Sequence, residues 1–260
     1  MSKDSRTIFG TVVVAITNPL VRKAMVDEIR RRGADDVIAV VEHFVLEELL
    51  GNTMVDLLIM DDILSEIETA SLTRDIRNGA LHAHPFPLIL VLAHDQKERD
   101  LHEVIDSGPD AILLYPVSIA ELSAKIEILA ARRKPFIIVR GYIGPDRRKA
   151  PREGPNQPRS IEAPNPLAGN GDPELFQQAI AKSMQDLSVA KMGSSIDQLA
   201  HALKTGNAAD FTGLIPAVEH LAEAAPKPAL REAAENLAAA LRSRNMEEIM
   251  RAARALLAAA

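Results

Sequence analysis

Val55-Asp-Leu-Leu-Ile-Met-Asp61 is an apolar run of strand length that ends on an acidic pair, Asp61-Asp62. Its apolar residues are continuous rather than alternating, as in a strand whose two faces are both covered by helices. Upstream, Thr11–Ile16 is an apolar β-branched run. Leu20–Arg32 follows it, with apolar residues at 20, 21, 24, 25 and 29, the spacing of one helix face. Val37–Val41 reads as a second strand and Phe44–Leu50 as a second helix. Downstream, the period of Leu64–Ile76 predicts a helix stopped by Asn78-Gly79. Leu88–Leu92 is a fourth strand, Lys97–Ser107 a helix closed by Gly108, Ala111–Tyr115 a fifth strand stopped by Pro116, and Ile119–Arg132 a fifth helix.

Strand–helix alternation of this kind implies a parallel, doubly wound α/β sheet. Five such units suit the flavodoxin-like strand order 2-1-3-4-5. Pro and Ala usage then divide the chain. Residues 1–134 make the α/β domain, 135–172 read as a Pro- and Arg-rich linker, and 173–260 as a separate all-helical domain.

The chain has 260 residues, 30 Lys and Arg against 36 Asp and Glu, and a net charge of −6. It has no Cys, which excludes a disulfide scaffold, a thiol catalyst and any cysteine metal site. The 47% apolar share supports a packed core. No apolar run approaches the ~18–20 residues of a membrane span, and Met1–Asp4 is polar, so a cytoplasmic chain without membrane contact is expected.

Several stretches together resemble a response-regulator receiver (CheY-like) domain over about half the chain. Val14-Ala-Ile-Thr-Asn-Pro-Leu-Val-Arg22 stands where that family has its first strand, acidic pair and first helix. Asp56-Leu-Leu-Ile-Met-Asp61 matches the third strand with its phosphoacceptor aspartate, and Leu72-Thr-Arg-Asp-Ile-Arg-Asn78 the third helix. Pro87-Leu-Ile-Leu-Val-Leu-Ala-His94 and Ser107-Gly-Pro-Asp-Ala-Ile-Leu-Leu-Tyr-Pro116 match the fourth and fifth strands.

The resemblance implies a carboxylate that accepts a phosphoryl group beside Mg²⁺. The departures from the family pattern argue otherwise. The acidic pair that would hold the ion falls on Ile16 and Thr17, the switch hydroxyl on Leu92 and the lysine on Tyr115. Only Asp61 survives, and a bond from Tyr115 to it is expected. The expectation is a pseudo-receiver with the Mg²⁺ site lost and no cofactor; Mg²⁺ enters only if the site is active. The alternative is a phosphorelay response regulator phosphorylated on Asp61. His82, His84, His94 and His102 are clustered in sequence, but strand Leu88–Leu92 separates the first pair from the rest. They are expected as exposed loop histidines rather than metal ligands.

Residues 130–160 carry nine basic residues against Asp146 and Glu153, a local net charge of +7 that leaves −13 for the rest. Within them, Gly141-Tyr-Ile-Gly-Pro-Asp-Arg-Arg-Lys-Ala-Pro-Arg152 resembles a tail found on receiver-like proteins of alphaproteobacteria. The Arg148-x-x-x-Arg152 spacing is similar to the arginine motif that opens PilZ cyclic-di-GMP domains. Guanidinium forks suit phosphates, so Arg147, Arg148 and Arg152 are candidates for an anionic ligand. The β-barrel and Asp-x-Ser-x-x-Gly motif of PilZ do not follow. The other reading is a solvated or locally docked linker with its arginines paired to acidic faces.

In the C-terminal part, Asp172-Pro173-Glu174 is a helix start. His201-Ala-Leu-Lys-Thr-Gly206 resembles the core of histidine phosphotransfer domains. However, Leu199–Asn207 aligns with Leu237–Asn245, where the histidine becomes Ala239. That repeat favours stacked helical hairpins. No hydrolase triad, phosphate-binding loop or zinc motif is present. The expectation is therefore a non-enzymatic adaptor of a bacterial two-component pathway. It would dock protein partners, or a second copy of itself, through residues 97–132 and the C-terminal helices; nucleic acid is not an expected partner.

Overall fold

Five strands form a parallel sheet: β1 (Phe9–Ala15), β2 (Ala34–Val40), β3 (Leu57–Asp61), β6 (Leu88–Ala93) and β7 (Ala111–Leu114). Their order is β2-β1-β3-β6-β7, the flavodoxin-like 2-1-3-4-5 arrangement, with every neighbouring pair parallel. The computed structural model describes residues 9–94, 98–148, 158–168, 173–205, 211, 214–225, 227–243 and 245–259.

The helices α1 (Pro19–Arg31), α2 (His43–Asn52), α3 (Ala70–Asn78), α4 (Glu98–Ser107) and α5 (Ile119–Ala131) connect the strands and cover both faces. Alternation along β1 divides the core. Val12 and Val14 lie with Met25 and Ile29 of α1 and with Leu122 and Ile126 of α5. Val13 and Ala15 lie with Leu46 of α2, Leu72 and Ile76 of α3, and Val104 of α4. Helix ends follow their local sequence. Asn18 caps α1 by accepting from Leu20 N and Val21 N. Ser118 and Glu121 form a capping box at α5.

Three differences from the sequence reading have physical causes. The predicted helix over 64–76 begins only at Ala70. Before it, β4 (Ile63–Leu64) and β5 (Ile67–Glu68) pair as an antiparallel hairpin. Its two-residue turn, Ser65-Glu66, has positive φ at both positions (50° and 65°), the pattern of a type I′ turn. Non-glycine residues adopt this backbone at a cost of about 1–2 kcal/mol each. Ser65 Oγ holds the turn in place by donating to Glu42 Oε2 at 2.7 Å, and it also lies 3.1 Å from Val41 O.

His82 and His84 are buried, only 5% and 2% exposed. His82 Nε2 accepts from Val55 N and its Nδ1 bonds His84 O, while His84 Nδ1 accepts from Phe86 N. Burial pushes both imidazoles down, His84 to about 3, so both rings stay neutral.

The described parts of the 135–172 segment, residues 138–140 apart, group with the α/β unit and carry strands of their own. β8 (Phe136–Val139), β9 (Tyr142–Pro145) and β10 (Arg159–Ile161) form a small sheet in the order β10-β8-β9. Two guanidinium groups lie near the ring of Phe136, with Arg77 4.9 Å and Arg133 5.0 Å from its centroid. Both arginines converge on buried Asp110, Arg77 at 2.7 Å and Arg133 at 2.9 Å. Their remaining N–H groups go to the carbonyls of Pro85, Phe86, Pro87, Gly108 and Pro164. Leu167 joins the core, and Asn165 Nδ2 donates to Leu129 O. Gly108 (φ 101°) and Gly144 permit the close approach of β9, because a Cβ on Gly108 would meet Ile143 O at 2.8 Å.

The chain divides into two compact units, residues 1–137 with 141–184, and 138–140 with 185–260; the boundary falls inside the long helix α6 (Pro173–Thr205). The second unit contains the end of α6, α7 (Ile215–Ala224), α8 (Pro228–Ser243) and α9 (Met246–Ala259). Its core joins Leu199, Phe211, Leu214, Val218, Leu230, Leu237, Leu241 and Leu256. No described helix is long and apolar enough to cross a membrane.

Candidate functional site

In a parallel sheet the residues just past the strand ends converge at the carboxyl edge. Here β1 delivers Ile16 and Thr17, β3 delivers Asp61, β6 delivers Leu92 and His94, and β7 delivers Tyr115. Asp61 is 2% exposed. Its Oδ2 accepts from Thr17 N at 2.7 Å and its Oδ1 from Tyr115 Oη at 2.7 Å. Burial pushes the Asp61 carboxyl above its ordinary range, and the two hydrogen bonds oppose that shift without cancelling it. Burial, followed by the bond to Asp61, pushes the Tyr115 phenol up, which keeps it a donor.

A second layer holds this pair. The His94 ring stacks on Tyr115 with centroids 4.4 Å apart. His94 Nδ1 lies 2.8 Å from Asp62 Oδ1, and His94 N donates to Asp62 Oδ2 at 2.9 Å. Thr69 Oγ1 lies within hydrogen-bonding reach of the carbonyls of both Asp61 and Asp62. The expected Tyr115–Asp61 bond is thus present. The His94–Asp62 pairing beside Tyr115 is what sequence reasoning missed. The signal was an acidic residue just after β3 and an imidazole just after β6, which the sheet order brings together.

The remaining positions offer no polar side chain to the site. Ile16 is fully buried in the core, and its carbonyl accepts from Arg22 Nη1. Leu92 is also fully buried and lies opposite Asp61 in the β3–β6 register. Mg²⁺ does not fit these residues. Ile16 supplies no oxygen, both Asp61 oxygens accept internal bonds, and Asp62 is engaged by His94. Among the described residues no group of three His, Asp or Glu side chains is placed to hold a metal.

The other candidates lie apart from this site. Arg147 stacks on Tyr142 at 5.1 Å. Arg148 forms a two-point pair with Asp146, holding that carboxyl at about 2. Arg152 lies outside the described residues. His201 is exposed on α6, which ends at Thr205. In the second copy of the repeat, Asn245 Oδ1 accepts from Glu247 N at the start of α9; Asn207 lies outside the described residues.

No protein-family model matches the chain, and no curated protein matches it. Among solved structures it is similar to a response regulator receiver protein from Pseudomonas putida. The match is at 22% identity and a TM-score of 0.40, covering 46% of this chain and 97% of that one. The receiver domain of a sensor histidine kinase from Pseudomonas aeruginosa, which has a magnesium ion coordinated in its active-site cleft, matches at 20% and 0.40, covering 45% and 93%. A two-component response regulator of the LuxR family from Aurantimonas matches at 27% and 0.40, covering 48% and 86%. The flavodoxin-like α/β class of the first unit rests on its own strand order.

Proposed function

We propose that the chain is a non-enzymatic signal-transduction adaptor: a pseudo-receiver that has lost phosphoryl transfer and acts by docking to protein partners. The observation that carries this reading is the closure of Asp61 by Thr17 N and Tyr115 Oη on its two oxygens. A receiver carboxylate attacks phosphorus with a free oxygen and needs a divalent ion to offset the charge that builds up. In this chain an internal donor occupies each oxygen, Ile16 takes an acidic position, and a phenol takes the place of the lysine cation.

The ligand-sensor reading has less support, because Arg148 is paired with Asp146 and Arg147, although its buried Nη2 has no hydrogen-bond partner, is stacked on Tyr142. Docking through residues 97–132 and the C-terminal helices, as a hetero-complex or a homodimer, follows from the resemblance. The test is an NMR titration of the full chain with beryllofluoride and Mg²⁺. We expect no Mg²⁺-dependent shifts centred on Asp61; clear shifts there would establish the phosphorelay alternative.

A further inference from the structure

We propose that the first turn of α2 and the β4–β5 hairpin form a docking face for a basic amphipathic helix of a partner protein. This rests on the docking reading above and names a surface and a class of partner for it. The two elements meet where Ser65 Oγ lies within hydrogen-bonding reach of Val41 O and Glu42 Oε2. Exposed apolar side chains lie within three residues of that contact on either element. Phe44 is 67% exposed and Ile67 49%, and Val41, Val45 and Ile63 are exposed as well. Leu46 and Leu64 beneath them are buried in one core cluster, so the face has a rigid base.

Charge selects the partner. From Gly33 through Thr73 the chain has no Lys or Arg and ten Asp or Glu. Glu42, Glu47, Glu48, Glu66 and Glu68 are exposed and make no ion pair among the described residues. An apolar centre with an acidic rim complements a helix that has apolar anchors at i, i+3/i+4 and Lys or Arg beside them. An acidic or purely apolar partner gains nothing from the rim. The hairpin follows directly on Asp61-Asp62, so a bound helix lies beside the closed site, and its docking needs no phosphoryl group.

The test measures fluorescence anisotropy of a labelled Leu/Lys amphipathic peptide of about 18 residues, five helical turns, titrated with the full chain. A Leu/Glu peptide of the same pattern is the control. We expect the Leu/Lys peptide alone to bind, and to weaken at about 0.5 M salt, where screening shortens to a few ångström. The double variant Phe44→Asp/Ile67→Asp should weaken binding by about tenfold or more, and so should the charge reversal Glu47→Lys/Glu66→Lys. Ile128→Asp, an equal change at an exposed residue of α5, should leave binding intact. Absence of binding, equal binding of the Leu/Glu peptide, or wild-type affinity in the two double variants overturns the proposal. Loss only in Ile128→Asp also overturns it, by moving docking to α5, while leaving the adaptor reading in place.

Discussion

Tyr115 Oη and Thr17 N, far apart in sequence but together at the carboxyl edge of the sheet, each bond one oxygen of Asp61 at 2.7 Å. Because burial pushes the carboxyl up, the folded chain binds its proton more tightly than the unfolded chain, whose ordinary value is 3.8. Stability is therefore lost as pH rises from 3.8 through the folded value. Asp61→Asn removes the desolvated charge and can keep both bonds, with the amide oxygen accepting from Thr17 and the amide nitrogen donating to Tyr115. We expect the variant to be at least as stable as wild type at neutral pH, and the advantage to vanish below 3.8. Urea denaturation at neutral and acid pH checks this. Marked destabilisation at neutral pH would show that the charge itself is needed.

Gly108 and Gly79 separate backbone strain from crowding. Both have positive φ, 101° and 78°, but only Gly108 faces neighbours that a Cβ would strike. Gly79→Ala should cost about 1 kcal/mol, the left-handed penalty alone. Gly108→Ala should cost that plus the displacement of β9, about 2–4 kcal/mol in all. Paired denaturation curves measure the difference, and equal costs would mean that β9 shifts freely.

Asp110 is the counter-ion to two buried guanidiniums, Arg77 and Arg133, and its Oδ2 also accepts from Ile89 N. Burial pulls Arg77 down only to about 10, so it remains a cation. Asp110→Asn keeps the shape but leaves two buried cations uncompensated, for which we expect a loss of about 3–5 kcal/mol. Hydrogen exchange should also rise at residues 136–145, because Arg77 and Arg133 both pack against the Phe136 ring. Protection unchanged at these residues would show that β8 and β9 are held by other contacts.

The five β–α units were legible because continuous apolar runs such as Leu57–Met60 are too short for a helix and suit a covered strand. The hairpin was not, because Leu64 and Ile67 stand three apart, a spacing that also suits a helix face. Nor do Ser65 and Glu66 belong to the Gly, Asn and Asp set that signals a type I′ turn. In the candidate site, Asp61 and Tyr115 were singled out by the resemblance to the receiver pattern. The His94–Asp62 contact depended on β3 and β6 being neighbours, a long-range fact. Over 135–172, Gly and Arg content suits either a solvated or a locally docked linker; Gly144 serves close approach and Arg133, at the segment's edge, reaches buried Asp110, contacts that composition does not reveal.

His84 supplies an acid-sensitive element at the opposite end of the sheet from Asp61. Its folded value of about 3 lies far below the ordinary 6.5. The unfolded chain thus takes up a proton first as pH falls, and the stability present above 6.5 is progressively lost from there toward about 3. His82, also pushed down by burial, adds to the same trend. His84→Asn offers a clean comparison, since an Asn side chain can accept from the N–H two residues on, as His84 Nδ1 does from Phe86 N. We expect the variant to lose about 1–3 kcal/mol at neutral pH from the vacated volume. Its stability should fall less steeply than wild type between pH 6.5 and 3. Denaturant midpoints measured across that range decide the matter. Parallel curves for the two proteins would place the acid sensitivity elsewhere in the fold.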